Sequence, residues 1–260
     1  MPFQNDILAG ASATQGASSE FSGSPASGYT AWWRSDSGVT LSGSLVDKWT
    51  DKSASEFTVV PEDGFSTTKV TYNSSDADFN NKPSLESTNN TPHQYESEGQ
   101  TVNQILTDSN DWHVFVVGYV HAANTNFSYP EMWVDKQGYG WIGPQSDTAF
   151  VTKNNSNAVT VSSSEDTLFV LEWINNSGGG GSGWKTKATS SSGTDTASST
   201  AYTWGPGYTN EYVMFGGTGG SSMTFMGKMS ELIFYASEQT GGNLTTLQSY
   251  FEDNYAVSFS

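Results

Sequence analysis

The sequence predicts an all-β protein, a two-layer sandwich closed by one C-terminal helix. Three observations in this 260-residue chain support that fold class. From Tyr29 onward the apolar residues form short runs separated by turn-forming residues, as in β-sandwiches. The composition, with 27 Gly, 13% aromatic residues and abundant Ser and Thr, suits tight turns, exposed strand faces and an aromatic core. One segment alone, near the C-terminus, has the apolar spacing of an amphipathic helix.

The predicted strands are the short apolar runs themselves. WHVFVVGYV and TLFVLEWI are the most apolar, and they are predicted to be central strands. In MGKMSELIFYA the residues Met229, Leu232 or Ile233 and Tyr235 compete for the inner face, which predicts a β-bulge near Glu231. The full set of predicted strands is 30–34, 45–49, 57–60, 69–72, 112–120, 131–134, 139–142, 158–161, 168–174, 211–215 and 225–235.

The helix is predicted from about residue 244 to residue 254. Asn243 is expected to cap its N-terminus, after the Gly241–Gly242 pair breaks the preceding structure. Its apolar stripe consists of Leu244, Leu247, Phe251 and Tyr255. Two low-complexity segments are predicted to be irregular: 175–183 as a flexible loop tip and 189–200 as a polar connection.

The first 28 residues differ in composition from the remainder. They are mostly small or polar, so they cannot bury enough apolar surface to order by themselves. The predicted organisation is an extended N-terminal arm, 1–28, and a β-sandwich domain, 29–260. The arm is either a mobile tail or a segment that orders on a partner, with Phe3, Ile7 and Leu8 as its anchors.

The charge and the cysteine count exclude several classes of function. Ten Lys and Arg against 27 Asp and Glu give a net charge of −17, so nucleic acid and anionic membranes are not expected partners. The absence of cysteine excludes a disulfide scaffold, thiol catalysis and cysteine-based zinc sites. The longest apolar stretch, 114–120, is too short to span a bilayer.

Two segments resemble a known family. AWWRSDSGVTLSGSLVDKWTDKS, residues 31–53, has an A-W-x-R-x-D-x-G-V-T pattern followed by W-x-D-x-S. FMGKMSELIFYASEQTGGNLTTLQSYFEDNY, residues 225–255, has a G-x-[IM]-x-E-[IL]-[IL]-x-Y strand followed by a terminal helix, and KPSLES precedes it at 82–87. These motifs resemble the concanavalin A-like, laminin-G-like jelly-roll domains found in phage virion proteins and microbial surface proteins. The resemblance implies the fold, whereas lectins, hydrolases and structural modules all share it.

No catalytic residues are predicted, and the protein is not expected to be an enzyme. Hydrolytic relatives carry an E-x-D-x-x-E triplet on one strand, and this sequence has none. The histidines His93, His113 and His121 lack a nucleophile motif beside them. No cofactor is expected except possible Ca²⁺, for which Asp76, Asp78 and Asn80 have an alternating set of oxygen ligands; a solvated loop is the alternative.

Loop aromatics are the candidates for sugar binding. Exposed rings can stack on sugars, whereas buried rings would pack the sandwich core. The candidate residues are Trp133, Tyr139, Trp141, Trp204 and Tyr208.

The leading functional hypothesis is a bacteriophage virion structural protein, displayed as a head decoration or as a tail fibre or spike module. The N-terminal MPFQNDILAGAS resembles short docking peptides of phage structural proteins and lacks the features of a secretory signal, so synthesis in host cytoplasm and location in the virion are expected. Its partners would be other virion proteins, bound through the arm, and further copies of itself. The alternative is a carbohydrate-binding adhesin that recognises host glycans. A polysaccharide hydrolase is the third reading.

Overall fold

The computed structural model of the protein describes most of the chain beyond residue 19. The described residues are 20–62, 69–87, 93–106, 111–121, 132–135, 140–146, 149–154, 157–162, 166–176, 184–199, 210–216 and 225–259. Within these ranges no helix combines the length and the hydrophobicity needed to cross a membrane.

The secondary structure is almost entirely antiparallel strands. The first eight are β1 Tyr29–Arg34, β2 Val39–Ser42, β3 Leu45–Thr50, β4 Thr58–Pro61, β5 Thr71–Asp76, β6 Lys82–Ser87, β7 Tyr95–Thr101 and β8 Trp112–Val120. The others are β9 Trp133–Asp135, β10 Gly140–Ser146, β11 Ala149–Asn154, β12 Asn157–Ser162, β13 Leu168–Asn175, β14 Trp184–Ser190, β15 Gly193–Ser199, β16 Glu211–Met214 and β17 Gly227–Tyr235. The helical elements are a 3₁₀ turn Ala77–Phe79, a short helix α1 Val102–Leu106 and the C-terminal helix α2 Gly241–Tyr255.

The strands form two layers. In the first sheet β8 lies between β13 and β17; β14 and β15 continue beyond β13, and β1 and β6 pair with the two halves of β17. In the second sheet β16 lies at the centre, with β7, β4, β3 and β2 on one side and β9, β10, β11 and β12 on the other. The predicted all-β jelly-roll sandwich with a C-terminal helix is confirmed.

The main core lies between the sheets and is built around tryptophan. Side chains alternate along β8, so that Val114 and Val116 enter this core while Phe115 and Val117 face the opposite side, toward α2. Both faces of this strand are therefore covered, which explains its nearly continuous apolar sequence and bears out its prediction as a central strand. The tryptophans below 2% exposure are Trp33, Trp49, Trp112, Trp133, Trp173 and Trp184.

Helix α2 packs on the outer face of the first sheet through the predicted stripe. Leu247, Phe251 and Tyr255 are buried there against the sheet. The predicted N-cap is wrong, because the helix begins at Gly241, after Thr240. The side chain of Asn243 donates to Gln239 Oε1 at 3.3 Å instead of capping.

The bulge predicted in the closing strand is present. The pairing of β17 with β8 shifts register between Met229 and Glu231. Before the bulge Met229 faces the main core; after it Leu232 and Phe234 do so, which leaves Glu231 pointing toward α2. One extra residue thus turns a carboxylate out of the main core and places it beneath the helix.

The prediction of an irregular polar connection at 189–200 is wrong. Most of this segment forms the end of β14, a turn, and β15. Thr189 pairs with Thr194, and their hydroxyl groups lie 3.0 Å apart. Threonine favours strands because its branched side chain packs well on a pleated surface, and the repetitive composition obscured this preference.

Candidate functional site

The two motif-bearing ends of the chain meet at a fully buried carboxylate, Glu231 of β17. Its two oxygens accept hydrogen bonds from Trp32 Nε1 and from the hydroxyl groups of Tyr250 and Tyr255, both at 2.8 Å. Burial raises the pKa of Glu231 to about 7, and these three donors oppose that rise. We call these four residues the Glu231 cluster.

Adjacent residues of the first motif support this cluster. Arg34 forms an ion pair with Asp36 at 2.7 Å and donates to the Tyr250 hydroxyl at 3.4 Å. Asp51 accepts from the backbone N–H groups of Trp32 at 3.1 Å and of Ser53 at 2.9 Å. The conspicuous motifs therefore fasten α2 to the first sheet.

The described part of the predicted arm, 20–28, packs on the sandwich. The side chain of Asn254, which is fully buried, accepts from the Ser22 N–H at 2.7 Å and donates to the Ser22 carbonyl at 3.0 Å. The Phe21 ring lies 4.2 Å from the Arg34 guanidinium, and Tyr235 donates to the Ala26 carbonyl at 2.7 Å. The proposed anchors Phe3, Ile7 and Leu8 lie outside the described residues.

The carboxylates expected to bind calcium instead bind an ammonium group. Lys228 Nζ lies 3.0 Å from Asp76 Oδ2 and 2.6 Å from Asp78 Oδ2. Asp76 also accepts from the Ser84 hydroxyl at 2.5 Å and from the Asp78 N–H at 3.1 Å, so both of its oxygens are engaged within the protein. Asn80 does not complete a ligand set; its side chain donates to the Asn254 carbonyl at 3.2 Å.

The predicted sugar-stacking aromatics divide into two groups. Trp133 is fully buried against Trp173, Tyr212 and Phe234, so its ring has no face open to a sugar. Trp141 belongs to β10, but its side chain is not among those described. The remaining candidates lie outside the described residues: Tyr139, Trp204 and Tyr208.

The histidine with the most buried environment is structural. His113 Nδ1 accepts from the Gln239 N–H at 3.2 Å, so the neutral ring donates from Nε2 to Glu172 at 3.1 Å. Lys187 donates to the other oxygen of Glu172 at 2.9 Å. Burial lowers the pKa of His113 and keeps its ring neutral. The ring thereby links Gln239, in the β17–α2 connection, to Glu172 of the first sheet.

An open cavity of about 190 Å³ lies between the sheets, where β11 and the end of β12 meet β13, β14 and β15. Its floor is apolar, and its rim is formed by hydroxyl groups and one carboxylate. We call it the inter-sheet cavity. The floor residues are Phe150, Phe169 and Ala188; the rim residues are Ser162, Thr167, Ser190, Ser192, Gly193, Thr194 and Asp195.

The rim carboxylate, Asp195, is held by backbone donors. It accepts from the Ser162 N–H at 2.7 Å and from the Thr196 N–H at 2.9 Å. The bonds from Ser162 and Thr196 hold the pKa of Asp195 below its usual value. The inter-sheet cavity therefore carries a fixed negative charge at neutral pH beside its hydroxyl groups.

The floor of the inter-sheet cavity depends on a glycine beneath it. Gly118 of β8 pairs with Phe169, and a Cβ atom at position 118 would lie 2.8 Å from Phe169 Cζ and 2.5 Å from Met132 Cε. Such contacts are too close for real side chains, so the Phe169 ring occupies its position because residue 118 has no side chain.

Sequence reasoning missed the inter-sheet cavity because its rim is mainly Ser and Thr. These residues carry no catalytic or metal-binding pattern, and five of the lining positions, 190 and 192–195, lie in the segment interpreted as a polar connection. The sequence does contain Phe169, Ala188 and Asp195, but it does not show that they lie side by side. That follows only from the pairing of β13, β14 and β15.

No protein-family model matches the chain, and no curated protein matches it in sequence. Solved structures do match. Domain 4 of AbnA, a GH43 extracellular arabinanase from Geobacillus stearothermophilus, in complex with arabinotriose, aligns with a TM-score of 0.55 and 13% identity over 85% of this chain and 98% of that domain. The binding domain of botulinum neurotoxin DC, in complex with rat synaptotagmin II, aligns with a TM-score of 0.55 and 10% identity over 88% of this chain and 52% of that one.

A third match is to botulinum neurotoxin type C, from work on its cell entry through two ganglioside molecules. Its TM-score is 0.51 and its identity 12%, over 80% of this chain and 49% of the toxin chain. The present chain thus spans about half the length of the matched toxin chains. At these identities the likenesses establish a shared β-sandwich fold.

Proposed function

We propose that the protein is a glycan-binding module without catalytic activity, and that the inter-sheet cavity is its sugar site. A sugar ring presents apolar C–H groups on its faces and hydroxyl groups around its edge. The inter-sheet cavity has the complementary arrangement, an apolar floor of Phe150 and Phe169 below a rim of Ser and Thr hydroxyl groups. This complementarity is the observation that carries the proposal.

Size and charge narrow the class of sugar. At about 190 Å³ the inter-sheet cavity is smaller than the roughly 300–1,000 Å³ pockets that hold drug-sized ligands, so it suits a single ring. Asp195 is ionised at its rim, and the whole chain carries a charge of −17. Both charges repel sialic and uronic acids, so the expected ligand is a neutral sugar.

The same lining argues for binding without hydrolysis. Glycosidases usually place two carboxyl groups on opposite sides of the scissile bond. Among the described residues that line the inter-sheet cavity, Asp195 is the one carboxylate, and its bonds with the Ser162 and Thr196 N–H groups favour the charged form over a proton-donating acid.

The structural neighbours support a binding role. The AbnA domain was solved with arabinotriose, and the neurotoxin C study concerns two ganglioside molecules. These two neighbours support a sugar-binding role for the fold, and arabinotriose, like the ligand proposed here, is uncharged.

A glycan array tests the proposal. We expect the full chain to bind neutral glycans, and Asp195→Asn to weaken that binding about tenfold or more, since a charged hydrogen-bond acceptor is lost. Asp253→Asn is the matched control, because it removes one exposed carboxylate from α2, away from the inter-sheet cavity. Unchanged binding by Asp195→Asn, or a preference of the wild type for sialylated or sulfated glycans, would contradict the proposal.

The second proposal concerns where the module acts. We infer that it is displayed on a phage particle and attached through residues 1–19, with other virion proteins and further copies of the chain as partners. The motif resemblance and the anchored segment 20–28 support this, because Asn254 and Tyr235 fix the point at which residues 1–19 join the domain. Recognition of a host glycan would then serve attachment.

A truncation tests display on the particle. Deleting residues 1–19 keeps Ser22, whose backbone bonds Asn254, whereas deletion of residues 1–22 would also remove those bonds. We expect the shorter deletion to fold with an unchanged melting temperature but to be absent from purified particles. Its normal incorporation would overturn attachment through residues 1–19.

A further inference from the structure

A second cavity, of about 250 Å³, opens on the outer face of the first sheet. It lies where the 3₁₀ turn, the start of β13, the β14–β15 turn and the C-terminal end of α2 come together. We call it the outer cavity. Its lining residues are Ala77, Asp78, Asn80, Leu168, Ser191, Tyr255, Ala256 and Val257.

The two cavities share a wall. At the end of β14 and in the turn that follows it, Ser190 and Ser192 line the inter-sheet cavity, while Ser191, between them, lines the outer cavity. At the start of β13 the same alternation places Phe169 in one cavity and Leu168 in the other. Successive strand residues point to opposite faces, so one strand end and one turn separate the cavities.

The outer cavity has the same kind of chemistry as the inter-sheet cavity. Leu168, Tyr255 and Val257 give it apolar surface, and Asp78 and Asn80 give it polar groups. Lys228, at 2.6 Å from Asp78, also pairs with Asp76, so one ammonium group serves two carboxylates and a net negative charge remains beside the outer cavity. A neutral, hydroxyl-bearing ligand therefore fits both cavities.

We propose that the two cavities form one extended site for a neutral oligosaccharide. One ring occupies the inter-sheet cavity, the chain crosses the β14–β15 turn, and a further sugar occupies the outer cavity. This inference rests on the proposed function and adds that the ligand has more than one ring. Affinity then rises with the length of the oligosaccharide, because the second contact is made by a ligand that is already held.

Two neighbouring substitutions separate the cavities experimentally. Ser191→Trp fills the outer cavity and Ser192→Trp fills the inter-sheet cavity; both residues are exposed in the same turn, so each variant controls for the other's effect on folding. Thermal unfolding establishes that both fold. Binding is then measured by calorimetry with the full chain and with xylo-, arabino- and malto-oligosaccharide ladders, from one sugar to six.

We expect wild-type affinity to increase with chain length in at least one ladder. Ser191→Trp should bind the shortest ligand normally and lose about tenfold in affinity for the longer ones, while Ser192→Trp should lose binding at every length. Wild-type affinity of Ser191→Trp for long ligands would overturn the extended site and leave the proposed function intact. Wild-type binding by Ser192→Trp, or no binding of any ladder by the wild type, would overturn both.

Discussion

Two carboxylates of this protein, Glu231 and Asp195, have opposite environments. Glu231 is fully buried beneath α2, accepts hydrogen bonds from three side chains and has its pKa raised to about 7 by burial. Asp195 lies at an open rim, accepts from two backbone N–H groups and has its pKa lowered by bonds from Ser162 and Thr196.

The contrast distinguishes a structural group from the group that we propose for ligand binding. Around Glu231 the polar groups of Trp32, Tyr250 and Tyr255 donate to the buried carboxylate within the protein. Around Asp195 the hydroxyl groups face a cavity that is open to solvent. The most recognisable motif residues thus hold the fold together, and the less distinctive Ser and Thr residues line the candidate site.

The largest effect is expected from Glu231→Ala. This change leaves the Trp32 N–H and the hydroxyl groups of Tyr250 and Tyr255 buried without their acceptor, which should cost about 3 kcal/mol or more in the free energy of unfolding. Urea denaturation measures the loss. Glu231→Gln keeps one acceptor oxygen and should lose less of the free energy of unfolding. A loss below about 1 kcal/mol for Glu231→Ala would contradict a structural role for Glu231.

The pH dependence of stability should reveal the raised pKa of Glu231. The folded protein retains this proton up to about pH 7, whereas the unfolded chain releases it near pH 4.5, so the contribution is full below pH 4.5 and is lost as pH rises toward and through 7. The expected loss is about 3 kcal/mol. Urea denaturation of the wild type and of Glu231→Gln, measured from pH 4.5 to pH 7, tests this. The free energy of unfolding of Glu231→Gln should vary less with pH than that of the wild type. The same pH dependence in both proteins would contradict the raised pKa.

Asp195→Asn should have the smallest effect on stability. Its side chain is exposed, so the free energy of unfolding should change by less than about 1 kcal/mol. The sign also reverses: because the pKa is lowered in the folded state, the contribution is present above the ordinary pKa and is lost as pH falls through the lowered value. Thermal melts at pH 7 and pH 3 check this, and a large loss at pH 7 would make Asp195 a structural residue like Glu231.

Much of the fold followed from local patterns. The most apolar runs identified β8 and β13 as central strands. In β17 the competition of Met229, Leu232 or Ile233 and Tyr235 for the inner face located the bulge. Asn243 misled because a good capping residue stands three positions inside a helix that begins at two glycines. The preference of Asn for the capping position is weak evidence at this helix end, because packing of the apolar stripe on the sheet stabilises the helix more than a cap does.

The candidate site could not be predicted, because it depends on which strands lie side by side. Phe150 and Ser162 come from the second sheet, and Phe169, Ala188 and Asp195 from the first. Asp76 and Asp78 illustrate the same limit: their spacing suits a calcium ligand set, but Lys228, 150 residues away along the chain from Asp78, provides the cation.

Gly118 affects the inter-sheet cavity although it is not one of the lining residues. A Cβ atom at position 118 would approach Phe169 and Met132 too closely, so one or both side chains would have to move, and Phe169 forms part of the floor. The shape of the inter-sheet cavity thus depends on the strand behind it as well as on the residues of its rim. A substitution at position 118 would therefore alter the space in the cavity from outside its lining.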